Sequence, residues 1–170
     1  MTVLLIKNSL NQLISKLRKE VYELMKAVVQ RVAYASVNVD GNTVGSIDRG
    51  LLVFLGVGQE DTQKCAERLA AKIAKLRIFS DENDKINLSV CDVNGSILVV
   101  SQFTLYADCR KGNRPNFMNA GKPELAERLY KYFSDECRKY VDKVENGVFG
   151  ADMKVELLND GPFTVVLEDI

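Results

Sequence analysis

Ser96-Ile-Leu-Val-Val-Ser-Gln-Phe-Thr-Leu-Tyr-Ala107 begins as an unbroken apolar run and ends in polar company. Residues 97–100 favour β structure and show no alternation, which predicts a central strand covered on both faces. Ser101, Gln102 and Thr104 then set three polar side chains around Phe103, where such a strand leaves its sheet. A buried polar group without a partner costs about 1–3 kcal/mol. These side chains are therefore expected to be hydrogen-bonded or to face a pocket, and strand ends are where pockets form. This strand end is the first candidate site.

Histidine is absent from the 170 residues. That excludes a Ser-His-Asp triad, a Cys-His pair, a histidine zinc helix and a histidine general base. Any catalysis must rest on carboxylates, lysine, backbone amides or groups the substrate brings. Lys plus Arg and Asp plus Glu both number 23, so no overall field recruits nucleic acid or an anionic membrane, and an RNA contact needs a local patch. The four cysteines, Cys65, Cys91, Cys109 and Cys137, form no Cys-x-x-Cys pair. Neither a zinc site nor a disulfide framework is expected; reduced thiols in a cytoplasmic protein are. No metal or cofactor is expected either.

A length of 170 residues with 46% hydrophobic content suits one compact domain, placed at residues 25–170. Residues 1–24 carry Ile6, Leu10, Leu13, Ile14, Leu17, Val21 and Leu24 at helical spacing and are read as an extension, helical or a mis-set start. Their longest apolar run is far too short for a membrane span. Residues 27–33 read as a strand, and 37–44 as a hairpin around Asp40-Gly41. Arg31 shares a strand face with Val29 and Ala33, where a snorkelling or edge ion pair is the ordinary explanation. Residues 51–57 form a second buried run. A helix is expected over 62–77, capped by Asp61 or Thr62, and a short strand over 86–90. Asp108-Cys-Arg-Lys-Gly-Asn-Arg-Pro-Asn-Phe117 gathers Arg110, Lys111 and Arg114 beside an aromatic ring, a loop able to hold phosphates and a stacked base, or simply a solvated one. Pro123 opens a second helix, with Leu125, Leu129, Phe133, Cys137 and Val141 inward. A strand is expected over 149–158. Gly161-Pro162 is the second candidate site: glycine lets backbone approach a ligand and proline fixes φ, although a turn before an edge strand would look the same.

Met25-Lys-Ala-Val-Val-Gln-Arg-Val32, Gly50-Leu-Leu-Val53, Leu76-Arg-Ile-Phe79, Ser101-Gln-Phe-Thr-Leu-Tyr-Ala107, Arg114-Pro-Asn-Phe117, Phe149-Gly-Ala-Asp-Met153 and Asn159-Asp-Gly-Pro-Phe-Thr164 together resemble the bacterial-type D-aminoacyl-tRNA deacylases. The blocks are collinear across residues 25–170. Residues 1–24 have no counterpart there, and Asn116 stands where the family more often has serine. The resemblance implies a single α/β domain with a curled, barrel-like mixed or antiparallel sheet flanked by two main helices. It implies a cytoplasmic homodimer that hydrolyses the ester between a D-amino acid and the terminal adenosine of tRNA, and that also clears mischarged glycine. A cis Gly161-Pro162 would reach into the partner's pocket and exclude L-amino acids, with Arg31 and Met153 fixing that segment. Gln102 and Phe103 would help form the pocket, and Phe149 would lie near the terminal adenine.

On the residues alone, Thr104 is the nearest hydroxyl nucleophile, but nothing obvious deprotonates it. Water attack, with backbone N–H groups near Gln102 and Phe103 polarising the carbonyl, is the leading reading; Ser101 belongs to the same cluster. Two alternatives stay open: a small-ester hydrolase using Thr104 directly, and a non-catalytic dimer holding tRNA through Arg110, Lys111 and Arg114.

Overall fold

The structure, a computed structural model, describes residues 25–168, so the reading of residues 1–24 lies outside it. The apolar run at 97–100 sits in β6 (Ser96–Ser101), and all four of its residues are at most 2% exposed. Its neighbours are β3 (Gly50–Gly56) and β7 (Val144–Asn146), both parallel to it. As expected for continuous apolar runs, β3 and β6 are covered on both faces. Ile97, Val99, Leu51 and Val53 belong to one core, against α1 (Gln63–Ala74) and α2 (Pro123–Cys137). Leu98, Val100 and Leu52 belong to a second core with Val32, Val37 and Ile47.

That second core exists because the sheet curls. The 14-residue strand β1 (Lys26–Val39) pairs along one edge with the equally long β8 (Lys154–Leu167). Along its other edge it changes partner, pairing first with β3 and then with β2 (Asn42–Ile47). β2 thereby folds over toward β7, so closely that a Cβ on Gly45 would lie 2.7 Å from the Asn146 carbonyl oxygen. The result is a nearly closed, mixed, barrel-like sheet flanked by two helices, with a small ribbon of β4 (Phe79–Ser80) and β5 (Ile86–Leu88) beside it. Each large side chain buried in such a core contributes about 1.5–3 kcal/mol.

Local signals held where they were strong. Asp40 and Gly41 both take positive φ at the β1–β2 turn, Thr62 is the N-cap of α1, and Pro123 opens α2. Four expectations change. β1 runs on to Val39 because its second half finds β8 and β2 as partners. α1 stops at Ala74, three residues early, with Lys75 as its C-cap. β5 ends at Leu88, because the Asp92 carboxylate accepts the Ser89 N–H at 2.8 Å and turns the chain. The strand expected over 149–158 begins only at Lys154, as β8; before it the chain turns through Phe149, where Gly150 has φ +76°, and the unforeseen β7 precedes that turn.

β8 also absorbs Gly161-Pro162, which is therefore no turn before a separate strand. Pairing to β1 skips between the Val32–Asn159 and Gln30–Thr164 partners, so these residues stand out of register inside one strand.

Candidate active site

At the end of β6 the Gln102 N–H still donates to the Leu55 carbonyl at 2.8 Å, and the chain then tightens into a 3₁₀ turn, Phe103–Tyr106. Beside that turn lies a cavity of about 430 Å³. β3 and β6 line it with Leu55, Val100 and Ser101, the turn with Gln102 and Phe103, α2 with Ala126 and Tyr130, and the β7–β8 connection with Phe149, Asp152 and Met153. Curling of the sheet is what brings Val155, at the start of β8, and Met153 just before it to the same cavity.

The cavity is mostly apolar, with few titratable groups. The Tyr130 hydroxyl donates to the Val99 carbonyl (2.8 Å) and lies 3.1 Å from that of Gly147, and burial pushes its pKa up. Asp152 is exposed and held by Lys154 at 2.8 Å. The Gln102 side-chain amide donates a short hydrogen bond to the Thr104 hydroxyl, which is exposed and does not line the cavity. Backbone donors are a different matter. The Gln102 N–H is committed to Leu55, whereas those of Phe103 and Thr104, in the first turn of the 3₁₀ segment, have no acceptor among the described residues. Sequence reasoning placed the donors near Gln102 and Phe103; pairing with β3 moves them one residue onward.

Arg31 and the Gly161-Pro162 segment meet elsewhere. The peptide between Gly161 and Pro162 is cis, Gly161 has φ +139°, and both residues are exposed. Arg31, with only 11% of its side chain exposed, donates from Nε to the Asp160 carbonyl (2.9 Å) and from Nη1 to that of Ile78 (2.6 Å). It also pairs with the Asp160 carboxylate at 3.3 Å and stacks over Phe163 at 5.0 Å. Asn159 accepts the Phe163 N–H at 2.6 Å, so the segment is anchored on both sides. Neither Gly161 nor Pro162 lines the cavity of its own chain. Met153 does, with its sulfur where a Cβ on Gly147 would come within 2.6 Å. Arg31 and Met153 thus serve different places within one chain.

Arg110 is bound to Asp108 at 2.6 Å and holds that carboxyl well below the usual carboxylate range. Lys111 and Arg114 are exposed on the same loop. The loop is closed at its base by paired backbone hydrogen bonds between Asp108 and Asn116, at 2.7 and 3.0 Å. Sequence reasoning missed Tyr130 and Ala126. The available signal was a tyrosine at a helix position spaced for burial, since a buried phenol must find a partner for its hydroxyl. Among the described residues no helix is long and apolar enough to cross a membrane.

Comparison with known proteins identifies the family. A D-aminoacyl-tRNA deacylase of Thermosipho africanus is 55% identical over 144 residues, covering 85% of this chain and 97% of that protein. The solved structure of c-Myc DNA Unwinding Element Binding Protein superposes with a TM-score of 0.80 at 47% identity, over 84% of this chain and 97% of that one. A probable eukaryotic D-amino acid tRNA deacylase shares the fold at 18% identity, with a TM-score of 0.73 over 84% of this chain and 98% of that one. The family model for D-Tyr-tRNA(Tyr) deacylase matches residues 28–168, and with the relatives above this means that the chain belongs to the D-Tyr-tRNA(Tyr) deacylase family.

Proposed function

We propose that this chain hydrolyses the ester between a D-amino acid and the terminal adenosine of tRNA, as a cytoplasmic homodimer, by water attack rather than through a covalent enzyme intermediate. Membership of the family makes it a hydrolase of the aminoacyl-tRNA ester bond. The observation that carries the mechanism is the uncommitted N–H of Phe103, a residue of the cavity wall, with the uncommitted N–H of Thr104 next to it in the chain. They polarise the ester carbonyl and hold the oxyanion that forms when water adds to its carbon. The bond from that carbon to the ribose oxygen then breaks, the ribose hydroxyl leaves with a proton, and free amino acid and tRNA are released. The vicinal 2′-OH of the substrate relays the proton, which suits a cavity whose only titratable side chains among the described residues are Tyr130 and Asp152. Phe149 lies at the adenine.

Stereoselectivity comes from the second copy. Gly161 and Pro162, exposed and outside the lining of their own cavity, act on that of the partner, where rigid backbone refuses the Cβ of an L-residue by steric clash. Glycine, which has no Cβ, passes. Tyr34, Leu158 and Val166, which are 42%, 54% and 63% exposed, lie on the paired strands β1 and β8 on either side of this segment and form the apolar face on which two copies meet. Arg110, Lys111 and Arg114 contact the acceptor-end phosphates.

Release of amino acid from tRNA charged with D- or L-tyrosine tests the reading. Fast loss of the D-ester with the L-ester spared is expected; loss of neither, with tRNA still bound, would leave a binding module. The Thr104→Ala variant is expected to keep at least about a tenth of wild-type kcat, because its hydroxyl only accepts a hydrogen bond from Gln102. A folded, tRNA-binding Thr104→Ala protein with no hydrolysis would instead make Thr104 the nucleophile.

A further inference from the structure

We infer that Phe117 and Met118, continuous with Phe103, form a stacking platform for the unpaired nucleotide that precedes the terminal adenosine; this rests on the deacylase reading above. Met118 is 75% exposed and Phe103 58%, large apolar surfaces to leave in water, and Met118 directly follows Phe117 in the chain. Phe103 and Phe117 pack edge to face with ring centroids 5.0 Å apart. The Met118 side chain is presented by a fixed backbone. Its N–H donates to Asn116 Oδ1 at 2.8 Å, its carbonyl accepts from the Gln59 side-chain amide, and the Asp108–Asn116 bridge closes the loop behind it.

Charge says what covers this surface. Arg110 is committed to Asp108, but Lys111 and Arg114 on the same exposed loop have no acidic partner among the described residues. Exposed apolar and aromatic surface on a loop that also carries two uncommitted cations is the chemistry that binds single-stranded nucleic acid, a base face on a ring and phosphates on the cations. Phe103 belongs both to this surface and to the cavity wall, so the surface leads directly to the place that receives the last nucleoside. The occupant is the single-stranded 3′ end of the tRNA.

The test compares two substrates, D-tyrosyl-tRNA and D-tyrosyl-adenosine, the latter lacking every preceding nucleotide. For Met118→Ala, kcat/KM on the tRNA ester is expected to fall about fivefold, and for Phe117→Ala about tenfold, through KM. On the adenosine ester both variants are expected to match wild type. Met118 is exposed, so its variant stays informative if Phe117→Ala folds poorly. Equal losses on both substrates, or no loss on tRNA, would overturn the platform. So would a shift of Met118→Ala toward monomer in sedimentation, which would assign the patch to a second copy. If wild type cleaves neither ester, the deacylase reading itself falls and the platform with it; cleavage of both with unchanged variants removes the platform alone.

Discussion

Phe103→Pro lowers kcat for D-tyrosyl-tRNA by about 10²–10³-fold relative to Phe103→Ala, the loss expected when one oxyanion donor is removed. Both variants lose the ring, and only proline loses the N–H, so their ratio isolates the donor. The backbone tolerates the change: Phe103 opens the 3₁₀ turn, where the missing N–H breaks no internal bond. Gln102 before it has φ −142° and ψ 79°, outside the α region that a following proline disfavours. Melting temperatures of the two variants are therefore expected to agree within a few degrees. Single-turnover hydrolysis with saturating enzyme reads the chemical step. A Phe103→Pro protein as fast as Phe103→Ala would place the oxyanion on other groups.

Gly161→Ala is the second large effect. At φ +139° an L-residue is strained, and the added Cβ would lie 3.0 Å from both Arg31 Nη2 and the Phe163 nitrogen. Such strain costs about 1–3 kcal/mol, a drop in melting temperature of some 2–4 °C per kcal/mol for a chain of this size. Arg31 is nearly buried and bonded to two carbonyls, and the Phe163 N–H is committed to Asn159, so the segment yields by moving its own backbone. A wall that acts by close contact loses its discrimination when displaced by a few tenths of an ångström. The ratio of D- to L-tyrosyl-tRNA hydrolysis is expected to fall at least about tenfold, since a clash amounting to a single methyl is worth about 1–3 kcal/mol. A variant that melts lower but keeps the full D-to-L ratio would reduce Gly161 to a structural residue.

Much of this molecule is legible from short-range pattern. The run at 97–100, without alternation, required a strand covered on both faces, and Leu98 and Val99 do lie in different cores. Asp40-Gly41 and Pro123 mark their turn and helix start because each needs or supplies a particular φ. Ser101, Gln102 and Phe103 could be expected at a cavity because polar groups at the end of a buried strand must have partners or a pocket, and all three line one. The family blocks were legible for the same reason, being contiguous stretches.

Tertiary structure alone decided the rest, since it depends on which distant segments pair. The exchange of β3 for β2 along β1 curls the sheet, and no residue of β1 announces it. Gly161-Pro162 reads as a turn until β1, more than 120 residues away, holds both flanks in one strand. Tyr130, Phe149 and Met153 meet at one cavity only because α2, the β7–β8 connection and the start of β8 converge on the end of β6. Pairing also decides which backbone donors are left uncommitted: β3 takes the N–H of Gln102 and leaves those of Phe103 and Thr104, a distinction that sequence cannot carry because every residue but proline has the same amide.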